Sequence, residues 1–164
     1  MQEINIKSYR RHLPHIHSNG EILFITFATF RKYDKTHEKL DKKEIEIVLE
    51  NIKNGDKKFY TLIAVVVLED HVHLLIYPNK GYEISRITKG IKGTTAREIN
   101  NKRGKVNTSV WQDESHDRIV RDKDELKNKL YYMLGNPVKK GYVGDPFKYE
   151  GWYYNERYEE EIKR

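Results

Sequence analysis

The apolar positions of this chain follow two periods, and the switches between them lay out its elements. Glu21 to Phe30 (EILFITFATF) is β-branched, aromatic and apolar nearly throughout, which suits a central strand. Asp41 to Gly55 then spaces Ile45, Val48, Leu49 and Ile52 at helical intervals, with Asp41 as the cap and Asn54-Gly55 as the stop. The run from Phe59 to Tyr77 is too long for one strand and too β-branched for a helix. It divides at Glu69-Asp70 into two strands, Phe59 to Leu68 and His71 to Tyr77, joined as a tight hairpin. Helical spacing returns from Gly81 to Gly104, with Ile84, Ile87, Ile91, Thr95 and Ile99 on one stripe. Ser109 to Arg121 holds a fourth strand. Asp122 to Asn136 is a third helix with Leu126, Leu130, Met133 and Leu134 as its buried stripe, and Pro137 reads as its stop.

The order is therefore β-α-β-β-α-β-α. Its first six elements match a ferredoxin-like split βαβ sandwich, an α+β fold with an antiparallel sheet and two helices on one face. The last helix is an addition to it. In this topology the first and third strands are central neighbours, so the strand starting at His71 lies mid-sheet. The chain reads as one domain over 1–164, with a basic arm over 1–20 and an aromatic, then charged, tail over 142–164.

Composition narrows the chemistry. The chain has 164 residues, enough for one modest core. It carries 31 Lys and Arg against 25 Asp and Glu, a net charge of +6, and this balance favours polyanions, nucleic acid first. It has no cysteine, which excludes disulfides and thiolate metal sites. Any metal must be held by His, carboxylate, amide oxygen or water. The first twenty residues lack the apolar core of a signal peptide, and no apolar run approaches the roughly 20 residues of a membrane span. These features lead us to expect a soluble, cytoplasmic protein.

The strand VVVLEDHVHLLIYP interrupts its own pattern with His71 and His73. Residues at i and i+2 of a strand face the same way, about 7 Å apart, so the two imidazoles project together from the face the first two helices leave uncovered. A pair so placed can converge on one divalent ion, or it can be two exposed or core histidines. A third ligand and a reactive group on a facing element would decide for the ion. The third helix offers both. Tyr132 and Asn136 are an i, i+4 pair off the buried stripe, one a phenol and the other an amide whose oxygen can bind metal. Tyr131 falls on the opposite flank, and its i+4 residue is Gly135.

These residues resemble a known family. HVHLLIYP is similar to the His-hydrophobic-His strand of the HUH nucleases. VWQDESHDRIVRDKDEL followed by YYMLGNPVKKGYV resembles the C-terminal half of single-tyrosine HUH transposases, the REP-associated tyrosine transposases in particular. The resemblance spans about Glu21 to Tyr154. It implies that His71 and His73 are metal ligands, that Asn136 is the third ligand where related transposases use glutamine, and that Tyr132 is the nucleophile. It also implies a substrate, single-stranded DNA next to hairpins, and a 5′-phosphotyrosine intermediate. Relatives act as monomers or as homodimers.

The chemistry is consistent with those roles. A phenol ionises near pH 10 and is a poor nucleophile at neutral pH unless a cation lies beside it. Two imidazoles and an amide leave a cation with open positions, which suits Mg²⁺ or Mn²⁺. The covalent link would conserve the phosphodiester energy, and the chain has no P-loop. Asp70 and His116 are candidates to support the site, Asp70 by orienting His71. Arg10, Arg11, Arg86, Lys89, Lys92, Arg97, Lys102 and Arg103 are candidate DNA contacts. Two other readings stand beside this one. The chain could be a non-catalytic ferredoxin-like module that binds nucleic acid on its sheet, or a metal-dependent nuclease in which water attacks.

Overall fold

A computed structural model describes residues 21–155. Five strands form one antiparallel sheet: β1 (Ile22–Thr29), β2 (Tyr60–Val67), β3 (His71–Pro78), β4 (Trp111–Val120) and β5 (Trp152–Tyr154). Their spatial order is β4-β1-β3-β2-β5, so β1 and β3 are the central pair. Three helices complete the α+β architecture: α1 (Lys42–Asn54), α2 (Ile84–Arg103) and α3 (Lys123–Lys139). Among the described residues no helix is long and apolar enough to cross a membrane.

Strand alternation divides the core into two layers. Ile25 and Phe27 of β1 and Val72, Leu74 and Ile76 of β3 point to one face, where Val48 and Ile52 of α1 and Ile87, Ile91 and Ile99 of α2 cover them. Ile22 and Phe24 of β1, Leu75 and Tyr77 of β3, and Val66 of β2 point to the other, under Leu126, Leu130 and Met133 of α3. The ferredoxin-like sandwich is thus present as expected, with the added helix on its far face. A bulge between Leu62 and Ala64 lets two successive residues, Ile63 and Ala64, feed the α3 side.

Local chemistry places the ends of the elements. Asp41 caps α1 in a capping box with Glu44. Gly104 closes α2 at φ 67, in the left-handed region. Asp122 caps α3 by accepting from the Glu125 amide. Pro137 corrects the sequence reading: α3 does not stop before it but runs one more turn, to Lys139. Proline removes only one amide donor, and Lys140 N–H to Asn136 O and Tyr142 N–H to Pro137 O close the turn around it. The tail contributes an unexpected strand. β5 pairs with β2 through Ala64, Val65 and Val66. Gly151 leads into it so close to β2 that a Cβ there would overlap the Val67 carbonyl.

Candidate functional site

The site is built where α3 crosses β3. In the antiparallel register Thr26 of β1 lies opposite both His73 of β3 and His116 of β4, so the three share one sheet face, the face under α3. His71, two residues before His73, shares that face. The imidazole centroids of His71 and His73 are 4.6 Å apart at 83° to one another. The Tyr132 ring stands edge-on to His73 at 5.3 Å. Phe24 stacks on His73 at 5.4 Å and 14° and also meets the Tyr132 ring edge-on at 6.4 Å. Three residues that are distant in the sequence therefore meet around a single imidazole.

Their environments differ. His73 is buried, whereas the Tyr132 side belongs to the surface, with half of the residue exposed (50%). Burial pushes the His73 imidazole down to about 3, and the nearby His71, Lys140 and Lys129 add to that effect. It is therefore neutral at physiological pH. Its Nδ1 is hydrogen-bonded to Thr26 Oγ1 at 2.8 Å, while its Nε2 is buried without a partner. His71 Nδ1 donates to Asp70 Oδ1 at 2.6 Å. That bond, ahead of the Lys140 ammonium, holds the Asp70 carboxyl far below the usual carboxylate range against the opposing effect of burial. An ionised carboxylate only accepts, so Nδ1 carries the proton of this bond, which leaves Nε2 as the nitrogen of His71 that could serve as a ligand.

Asn136 lies one turn beyond Tyr132 on α3. It is buried, although helical spacing sets it off the apolar stripe, and its Nδ2 has no hydrogen-bond partner. An orphaned imidazole nitrogen and an orphaned amide in the same layer are costly in a folded protein unless something else satisfies them. A half-turn of the amide exchanges Nδ2 for Oδ1, a donor for an acceptor. The donor set of two imidazoles and one amide therefore fits a divalent cation. Among the described residues no three His, Cys, Asp or Glu are grouped for metal binding.

The other candidate residues fall elsewhere. Arg86, Lys89, Lys92, Arg97, Lys102 and Arg103 all lie on α2, which packs on the opposite face of the sheet. Arg86 sits over the Tyr82 ring at 5.1 Å, and Lys92 donates to Asp113 O and Ser115 Oγ. Lys102 and Arg103 are engaged in ion pairs within the domain. Lys102 pairs with Asp41 and Glu44, and Arg103 with Glu44 and Glu38, tying the end of α2 to the start of α1. Arg10 and Arg11 lie outside the described residues. The cations that do flank the site were missed: Lys129, 4.7 Å over the Phe24 ring, and Lys140, which reaches Asp70. Lys140 carried a legible signal, because it continues the i, i+4 series of Tyr132 and Asn136. Thr26 carried another, as the polar break in the apolar run LFITF.

Comparison with known proteins bears on this geometry. The family model described as "Transposase IS200 like" matches residues 22–128, more than half of the chain. The chain belongs to the IS200-like transposase family. That match includes His71 and His73 and ends before Tyr132. A Haemophilus influenzae protein described as a REP-associated tyrosine transposase is 32% identical over 94 residues, which cover 51% of this chain and 53% of that protein. The chain thus spans about half the length of that relative. In structure, a REP-associated tyrosine transposase solved bound to a REP hairpin aligns with all of this chain and 87% of its own, with a TM-score of 0.62 and 17% identity. At that identity the likeness shows the fold alone.

Proposed function

We propose that this chain cleaves and rejoins single-stranded DNA beside hairpins, through a covalent bond to Tyr132. The observation that carries the reading is the edge-on contact, with ring centroids 5.3 Å apart, between half-exposed Tyr132 and a buried, neutral imidazole whose Nε2 has no partner. His71, His73 and Asn136 would hold a divalent cation, Mg²⁺ or Mn²⁺. Such a cation, when bound, neutralises charge on the scissile phosphate and favours the ionised phenol.

The protein's own groups do the rest. Tyr132 Oη attacks phosphorus, forming a 5′-phosphotyrosine as the bond to the 3′ oxygen breaks, and the leaving strand departs as a free 3′-OH. Attack by another 3′-OH reverses the step and restores a phosphodiester. Phe24 and Thr26 hold His73 from two sides, so its ring is oriented before DNA arrives. Lys129, beside Phe24, supplies positive charge to a backbone entering the site. The REP hairpin bound by the structural relative supports hairpin DNA as the substrate class.

The test is incubation with a labelled single-stranded hairpin and Mn²⁺, followed by denaturing electrophoresis. A protein–DNA adduct that survives SDS and is absent in Tyr132→Phe supports the reading. Cleavage with no adduct assigns the attack to water. Retention of DNA with no cleavage under any divalent cation leaves a binding module. Replacing His71 and His73 together by Ala should abolish cleavage and spare DNA retention.

A further inference from the structure

The two halves of the site come from segments that need something to hold them in register. β3 supplies the imidazoles and α3 the phenol and the amide. Ring contacts alone join them at Tyr132, on an exposed part of the helix. A polar connection lies one turn beyond Asn136, where Lys140 Nζ is 3.2 Å from Asp70 Oδ1 and 3.4 Å from Oδ2. Asp70 Oδ1 also accepts from His71 Nδ1. One carboxylate is therefore shared between the strand that carries the histidines and the end of the helix that carries Tyr132.

We propose that Lys140 is a positioning residue, which by gripping Asp70 fixes α3 and its tyrosine against the His71 side of the site. The inference rests on the functional reading above. Its geometric basis is that one end of the link is rigid and the other is the last turn of a helix that lacks one amide hydrogen bond. The Asp70 carbonyl accepts from both the amide and the hydroxyl of Thr29, and Leu68 N–H to His71 O closes the β2–β3 turn. Lys140 is the C-cap of α3, and Gly141 at φ 77 then reverses the chain. The last turn of α3 contains Pro137, which deletes an amide hydrogen bond from the segment that carries Asn136. A weakened helix end gains most from an outside tether. The Lys140 side chain is 30% exposed and that of Asp70 27%, so the pair is screened yet reachable, and its value lies in placement more than in stability.

The tether predicts a split between rate and stability. Lys140→Met should leave the urea-unfolding midpoint almost unchanged, as expected for a partly exposed ion pair. It should slow adduct formation at saturating hairpin DNA by about 10- to 100-fold, as expected for a displaced nucleophile. Lys140→Arg, which can still reach the carboxylate, should restore most of the rate. Amide hydrogen exchange over residues 132–140 should quicken in Lys140→Met and in Asp70→Asn, and no further in the double variant. A fall in the urea midpoint large enough to account for the lost rate in Lys140→Met, or an unchanged rate, overturns the proposal. Additive exchange effects overturn it as well. If the wild-type protein forms no adduct, the functional reading falls, while the exchange measurements still decide whether the tether exists.

Discussion

The two faces of the sheet are built to different standards. On the α1/α2 face the apolar residues interlock, and the one strongly buried acid, Glu44, is held by Arg103 and Lys102. On the α3 face lie four of the five buried side-chain polar atoms that lack a partner among the described residues: His73 Nε2, Asn136 Nδ2, Tyr131 Oη and Trp152 Nε1. Only Asn100 Oδ1, on α2, belongs to the other side. An unsatisfied buried polar atom costs about 1–3 kcal/mol, so one face serves stability and the other gives some up. Two of the four, His73 Nε2 and Asn136 Nδ2, belong to the candidate site, which is where a function would place them.

The contrast can be broken by substitution. The largest effect expected is on chemistry alone: Tyr132→Phe should lower adduct formation by at least about a thousandfold, because no other group replaces the nucleophile. Its denaturation midpoint should barely move, since the residue is half exposed and its ring is retained. On the opposite face, Leu74→Ala should cost about 2–5 kcal/mol in urea unfolding, from a fully buried position between β1 and the helices. It should leave the adduct yield of the remaining folded protein unchanged. A Leu74→Ala protein that folds well and loses adduct formation would contradict the separation.

Acid should separate the faces by pH. The folded pKa of His73, about 3, lies below its ordinary 6.5, so the unfolded chain binds the extra proton. Stability from the α3 face is then complete above about 6.5 and is lost as pH falls toward 3. Glu44 behaves differently. Burial pushes it up, but the Arg103 hydrogen bond and the Asp41 amide outweigh this and its folded pKa is net lowered. Its contribution is present above 4.5 and disappears only as pH falls through the lower folded value. Urea midpoints measured in low salt should therefore decline already between pH 6.5 and 4.5, and His73→Leu should flatten that limb. An unchanged limb in His73→Leu would refute the assignment. The smallest effect expected is a gain: Asn136→Leu, by removing an unpaired buried amide, should raise stability by about 1 kcal/mol while lowering adduct formation. A loss of stability would mean that the amide is satisfied in solution.

Much of this was legible before any coordinates. The boundaries of β1, β3 and α2 lie within a few residues of their apolar patterns, because those elements are strongly periodic, and the helix ends carry local cap signals: Asp41 for α1, Gly104 for α2 and Asp122 for α3. The facing of His71 and His73 followed from strand parity. The end of α3 did not, because whether Pro137 stops a helix or merely weakens it depends on Tyr142 folding back to its carbonyl. β5 was invisible because three residues, Trp152 to Tyr154, carry too little pattern to predict a strand until β2 offers them an edge. The basic residues of α2 looked like a DNA surface because charge can be counted along the chain, while the acids that occupy Lys102 and Arg103 stand some sixty residues away.

The sequence by itself determined the elements, their order, the sheet face that carries the histidines and the helical neighbours Tyr132 and Asn136, since each of these depends on bond geometry and short-range periodicity. The tertiary structure decided what the pattern could not express: that Tyr132 stands 5.3 Å from His73, that Thr26 and Phe24 hold the imidazole, and that Lys140 meets Asp70. Those contacts join separate segments of the chain. They form because burying two apolar layers on one sheet leaves α3 only one place to lie.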